Sequence, residues 1–405
     1  MAQSTSEPIS RRLQFAVYMC GICSNGTSSL VWVITPLWVV ELGASPFMIG
    51  ISLGSYTVLP LLLSIHGGAL MDKLGARRVI MFFGTIVVIM PWFYPISPWI
   101  PAVIVLQMIL GLSVSMGWIG TQTLIGQRMR GDPTYSGRLA FWTRSVGLAG
   151  PPLIGLAWDN VGPWGAFAFM SFWASGALVG VFLLPKLAAE ETAAAARTTR
   201  VRDLMPKPGD YMVAFRLLAI PTILLVVVMS VLRQSAQGIQ SSFYVVYLEN
   251  INFSATEIGI LTSSFLAFSA MGALTAAKLV RLFSPAWLLV VAVTVSVIMI
   301  TITPLLGAFF LLMVAISVRG GVLGIVQPLM LTMVLKAADA KVQGKAVALR
   351  ASANRLAMTF IPVIMGAVIE VVGLDAAFFV IGGILMVLMA IVSLIISRSP
   401  SYRDG

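Results

Sequence analysis

Gly68-Ala69-Leu70-Met71-Asp72-Lys73-Leu74-Gly75-Ala76-Arg77-Arg78 is the first dense group of charges beyond the N-terminal tail, and apolar runs flank it, Ile49–Ala69 before and Val79–Tyr94 after. Each run is long enough, or nearly so, to cross a bilayer, which takes about 20 helical residues. Four charges between two such helices must sit in water on one side of the membrane. The glycines allow the chain to turn tightly. Asp72 falls at the end of the incoming helix, where cations of neighbouring helices can hold its carboxylate.

Composition leads to the same class. Hydrophobic residues make up 59% of the chain and charged residues 10%, and the mean hydropathy of +0.97 lies outside the range of soluble proteins. The 405 residues hold about 12 spans of roughly 20 residues with short connections. The net charge of +11 does not indicate nucleic acid, because a basic groove needs water-facing surface that this composition lacks. No cleavable signal peptide is expected: the first apolar run is long, follows Arg11-Arg12 and lacks a small-residue cleavage site.

Spans are expected at 13–40, 46–70, 78–96, 99–127, 137–159 and 163–185, and again at 217–248, 255–279, 285–305, 307–335, 344–370 and 375–397. The connections alternate in charge. Arg11 and Arg12, Lys73, Arg77 and Arg78, Arg128 and Arg130, Lys186 to Lys207, Lys278 and Arg281, Lys336 and Lys341, and Arg398 and Arg403 fall on one side, the basic face. The other, acidic face carries Glu41, Asp159, Glu249, Glu257, Glu370 and Asp375 without Lys or Arg. The positive-inside rule then puts both termini in the cytoplasm of a protein of the cytoplasmic (inner) membrane. Residues 186–216, rich in Ala, Thr, Glu and Arg and punctuated by Pro206, Pro208 and Gly209, read as a cytoplasmic linker between halves 1–185 and 217–405.

The pattern at Gly68, Asp72, Lys73, Gly75, Arg77 and Arg78 resembles the signature between the second and third helices of the major facilitator superfamily. That resemblance implies an all-α membrane protein with 12 transmembrane helices in two pseudo-symmetric six-helix bundles, working as a secondary transporter. The halves also repeat. Arg144-x6-Pro151-x3-Gly155-x3-Asp159-x2-Gly162 returns as Arg355-x6-Pro362-x3-Gly366-x3-Glu370-x2-Gly373 at an offset of 211 residues, and Ser45–Gly50 returns more weakly as Ser254–Gly259. In such parallel repeats the substrate lies between the halves near the midplane.

Helical rise locates the chemistry. Arg233 lies about 24 Å from each end of the seventh span, and Arg319 roughly 18 Å inside the tenth, so both reach the middle of the bilayer. Each such cation costs about 2.5–3.5 kcal/mol on insertion scales, yet all 15 acidic residues lie in tails, loops or span ends. The missing counter-ion is expected to be the substrate, since the guanidinium fork matches a carboxylate or phosphate. Arg233, Gln237, Gln240, Ser241 and Tyr244 form one polar stripe, and Asn25, Ser28 and Trp32 its counterpart in the first span. Trp118 and Gln122 mark the fourth span and Gln327 the tenth. Arg144 and Arg355, about 22 Å from the acidic face, read as gating residues with Gly150, Pro151 and Gly155, and Asp72 is the expected partner of Arg144.

Other readings stay open at this point. The single His66 is a possible proton site, or a gate hydrogen bond. Cys20-Gly21-Ile22-Cys23 has no second ligand pair and is not expected to bind metal. Gly147-x2-Gly150-Pro151-Pro152-x2-Gly155 is similar to the antiporter motif of exporters in the superfamily, with Leu156 replacing its last Gly. Gln107 stands where the drug–proton antiporters carry an Arg. The favoured reading is a monomeric carrier of a small organic anion in the lipid bilayer, by exchange or ion-linked symport, with no cofactor, no nucleic-acid partner and no enzymatic activity. The alternative is a drug or metabolite exporter of the proton-antiporter type, with Trp32, Trp118 and Tyr244 holding an apolar ligand.

Overall fold

A computed structural model describes residues 9–129, 133–184, 216–337 and 343–398, and these are helical almost throughout, with no strand. The linker 186–216 lies outside them except for Arg216. In chain order the helices are α1 Arg11–Glu41, α2 Pro46–Leu74, α3 Ala76–Ile89, α4 Ile100–Arg128, α5 Pro133–Gly147, α6 Gly150–Leu183, α7 Pro221–Gln240, α8 Phe243–Asn250, α9 Ala255–Leu282, α10 Pro285–Thr301, α11 Phe309–Ala337, α12 Gln343–Val372 and α13 Leu374–Arg398. Short helical turns extend α3 and α10. Ten segments are long and apolar enough to cross a membrane. One of them, Thr134–Leu183, turns back at Gly162 (φ 70°, ψ −162°). Dividing it there and adding the shorter Pro285–Thr301 gives twelve crossings among the described residues.

Several expected spans differ in their interiors. The fifth is interrupted at Leu148–Ala149, between α5 and α6, and the seventh at Ser241–Ser242, between α7 and α8. At the second break the Ser242 hydroxyl donates to the Gly238 carbonyl, in place of the Ser242 N–H that turns to Ile239, and the Ser241 hydroxyl joins its own N–H on the Gln237 carbonyl. The charged stretch at 68–78 is also not a loop. α2 continues to Leu74, and the reversal is made by Gly75 alone (φ 81°, ψ 136°), a left-handed conformation natural to glycine.

Three helices of each repeat share one register, two residues short of the 211 that separates the Arg144 and Arg355 motifs. Pro46 and Ala255 begin matching helices, as do Ala76 and Pro285, and Ile100 and Phe309, each pair separated by 209 residues. Across the molecule α2 packs on α12, and α6 on α9. Both seams are built the same way. A Cβ on Gly50 would meet the Pro362 carbonyl, and one on Gly259 the Pro151 carbonyl. The same holds for Gly366 against Pro46 and for Gly155 against Ala255. The repeated glycines and prolines are thus the places where the backbones of the two bundles touch.

Candidate functional site

The closure between the bundles starts at the acidic face. The N–H groups of Ala255 and Thr256 each donate to the Asp159 carboxylate at 2.9 Å, and the Thr256 hydroxyl donates to it at 2.5 Å. An acid at the end of one bundle's helix thereby caps the first turn of α9 in the other, where free N–H groups and the helix dipole favour negative charge. The symmetry-related acid does likewise: the Phe47 N–H at the start of α2 donates to Glu370 Oε1 at 3.2 Å. Deeper in, Thr57 and Thr359 are 2.8 Å apart, the Ser263 hydroxyl donates to the Leu148 carbonyl at 2.6 Å, and Arg355 Nη1 donates to the Pro60 carbonyl at 2.8 Å. Arg355 therefore joins the seam of α2 and α12. Arg144 is exposed.

Below that seam sits a group of cations from the second bundle. Arg319, in α11, is 0% exposed, and none of its Nε, Nη1 and Nη2 atoms has a hydrogen-bond partner among the described residues. Its guanidinium lies over the Phe265 ring, 5.5 Å from the centroid, a cation–π contact that offsets part of its desolvation. Arg319 is within electrostatic reach of Arg233 and of Tyr244, whose buried hydroxyl also lacks a partner. Arg233, 7% exposed, donates from Nη2 to Gln234 Oε1 at 2.5 Å, and its buried Nε is unpartnered. Arg350 lies within electrostatic reach of Arg233 and donates from Nη1 to Gln327 Oε1 at 3.3 Å. Arg350 is thus linked to Arg233, and Arg233 to Arg319, by electrostatic reach.

The other expected residues divide into two groups. Asn25 is the one exposed side chain between Ala16 and Val40 of α1. Gln122 and Gln327 are exposed, and Gln237 and Trp118 half-buried. Ser28 and Trp32 are instead tied to the first bundle through Tyr56: the Ser28 and Tyr56 hydroxyls are 3.2 Å apart, and the Trp32 and Tyr56 rings meet edge-on at 5.0 Å. Gly150 is buried beside Leu30, and Pro151 and Gly155 lie in the seam with α9. Gly75 makes its turn beside Arg77 and Arg78, while His66, Gly68, Asp72 and Lys73 belong to the last turns of α2, where their side chains lie outside the described residues. The expected Asp72–Arg144 pair lies outside them too. Cys20 and Cys23 are free and buried.

Sequence reasoning missed Phe265, Gln234 and the two helix-capping acids. Gln234 sits next to Arg233 but off the polar stripe, and Phe265 is an unremarkable apolar residue of α9. Asp159 and Glu370 were visible as ends of the repeat, but the helices they cap lie in the opposite halves.

The sequence matches the Major Facilitator Superfamily over residues 17–239 and 226–405. The chain belongs to that superfamily. No curated protein matches it significantly. Solved superfamily-like folds include the nucleoside transporter NupG, 14% identical over 96% of this chain and 100% of NupG, with a TM-score of 0.80. A bacterial homologue of the human lysosomal transporter Spinster, inward-facing and occupied, is 16% identical over 99% of both chains (TM-score 0.71). A peptide transporter POT in complex with sulfate is 16% identical over 97% of this chain and 96% of that one (TM-score 0.72). At such identities the likeness is one of fold. As a superfamily member the chain is a multi-pass membrane transporter of a small molecule, not an enzyme.

Proposed function

We propose that this transporter carries a small organic anion, carboxylate-like, across the cytoplasmic membrane by alternating access, with both termini in the cytoplasm and the halves 1–185 and 217–405 joined by the linker 186–216. One observation carries the reading: Arg319 is fully enclosed, and no acceptor among the described residues meets any of its three guanidinium nitrogens. An unanswered buried charge is costly, and an anion bound against Arg319, Arg233 and the Tyr244 hydroxyl supplies the charge-assisted hydrogen bonds that the protein does not. Gln237, Gln327, Asn25, Gln122 and Trp118 complete the vestibule. Ser28 and Trp32 support it from behind through Tyr56.

Binding also explains obligatory coupling. With the site unliganded, closing the first bundle over Arg233, Arg319 and Arg350 strips water from charges that have no counter-ion; a bound anion neutralises them and permits the bundles to rock. The expected cycle is exchange, or symport with an ion, by a monomer. The test is reconstitution in liposomes and measurement of carboxylate counterflow. Arg319→Ala and Arg233→Gln are each expected to lose most of the flux, and undiminished exchange by both variants would end the proposal.

A further inference from the structure

A second cavity lies away from these guanidinium groups, inside the second bundle at its basic end. The start of α7, the end of α9, the start of α10 and the end of α11 enclose about 670 Å³, within the range of about 300–1,000 Å³ typical of small-molecule sites. Its interior is built from Ala, Val, Leu, Met and Pro side chains, with Thr222 and Thr332 as neutral polar groups, and Arg281 and Lys336 bring two cations with no acidic residue among the described residues of the wall. Both cations belong to the last turns of their helices. They therefore sit at the level of the lipid headgroups, with the apolar interior running inward from them.

The first repeat shows that the fold does not demand this space. At the 209-residue offset, Thr222, Val280 and Met333 correspond to Leu13, Met71 and Leu124. In the first bundle Met71 and Leu124 are buried in one apolar cluster, and Leu13 packs against it. Replacing Leu by Thr and Met by Val removes side-chain volume at two walls. Arg281 and Lys336 take the positions of Asp72 and Gln127. Elsewhere in the wall Leu329 stands where the first repeat has Gly120, and Ala337 where it has Arg128. The second bundle thus carries smaller side chains at Thr222 and Val280 in particular, and exchanges the Asp72 and Arg128 pair of charges for two cations, Arg281 and Lys336.

We propose that this cavity binds an anionic phospholipid, with the headgroup phosphate held by Arg281 and Lys336 and one acyl chain among the apolar walls. A single anionic head joined to an apolar tail is the ligand that matches both halves of the lining. The site is separate from the transported anion, so its fate and that of the transport reading are independent.

Native mass spectrometry of the full-length protein in detergent tests it, with phosphatidylglycerol, phosphatidylcholine of the same chains, and oleate as probes. The wild type is expected to retain phosphatidylglycerol about fivefold or more over phosphatidylcholine. Arg281→Gln combined with Lys336→Gln is expected to abolish that preference. Thr222→Leu, which installs the residue of the first repeat and keeps both charges, is expected to lower phosphatidylglycerol binding while carboxylate exchange is unchanged. Equal retention of the two lipids by the wild type overturns the proposal. So does a preference that survives the double variant, or undiminished binding by Thr222→Leu. Retention of oleate without phosphatidylglycerol overturns it as well, by assigning the cavity to a free amphiphilic anion.

Discussion

Arg319 carries opposite consequences for stability and for function. Its guanidinium is buried without an acceptor, so replacement by an apolar residue of similar reach removes an uncompensated charge. Arg319→Met is therefore expected to raise the unfolding temperature of the detergent-purified protein in the absence of substrate and to abolish exchange. Thermal unfolding with and without a transported carboxylate measures both, since only the wild type gains stability from the ligand. Arg319→Lys keeps the charge but loses the planar fork and its stacking on Phe265. Loss of one charge-assisted hydrogen bond, about 1.5–3 kcal/mol, is expected to raise the apparent KM for exchange by about tenfold or more. Retained affinity would show that the ammonium suffices as a point charge.

At the scale of elements, the seams of α2 with α12 and of α6 with α9 depend on glycine. A side chain on Gly155 runs into the Ala255 carbonyl, and one on Gly50 into that of Pro362; in both cases the obstacle is backbone, which cannot step aside as a side chain can. Gly155→Val or Gly50→Val is expected to separate the helices and shift the protein toward a form open at the acidic face. A cysteine introduced at exposed Asn160, beside that seam, is expected to react faster with a membrane-impermeant maleimide in these variants. The buried Cys20 and Cys23 keep the background low. The repeat containing these glycines was legible in the sequence because spacing survives where composition drifts. Its meaning was not, because a periodic Gly or Pro does not say which helix lies against it. The break at Leu148–Ala149 was illegible for a related reason, since hydropathy runs across it unchanged, and that at Ser241–Ser242 was read as the end of a polar stripe rather than of a helix.

On the scale of the whole molecule, the acidic face is held by two related but unequal caps. Asp159 receives three hydrogen bonds from the start of α9, whereas Glu370 receives one from the start of α2. Asp159→Ala is therefore expected to open that face more than Glu370→Ala, by roughly 1–2 kcal/mol of additional shift at about 1 kcal/mol for each net hydrogen bond. Distance distributions between spin labels on the two bundles provide the measurement; equal shifts would show that the glycine seams alone keep the face closed. The architecture itself was readable from charge alternation and from the stretch at Gly68. The burial of Arg233 and Arg319 is what the structure adds to the midspan positions expected from helical rise. What rise could not provide was the partner list, because Phe265 meets Arg319, and Tyr56 meets Ser28 and Trp32, only once helices distant in sequence are brought together.

The three guanidinium groups have no cationic counterparts in the first repeat, where Ser24, Leu110 and Leu139 occupy the matching positions. Cargo that seeks positive charge would stay with one wall throughout the cycle. The second bundle would act as the carrier's hand and the first as its shutter, so that duplication has left two similar scaffolds with different work. Grafting Arg onto Leu110 would then give the shutter a grip of its own and slow the release of whatever it passes.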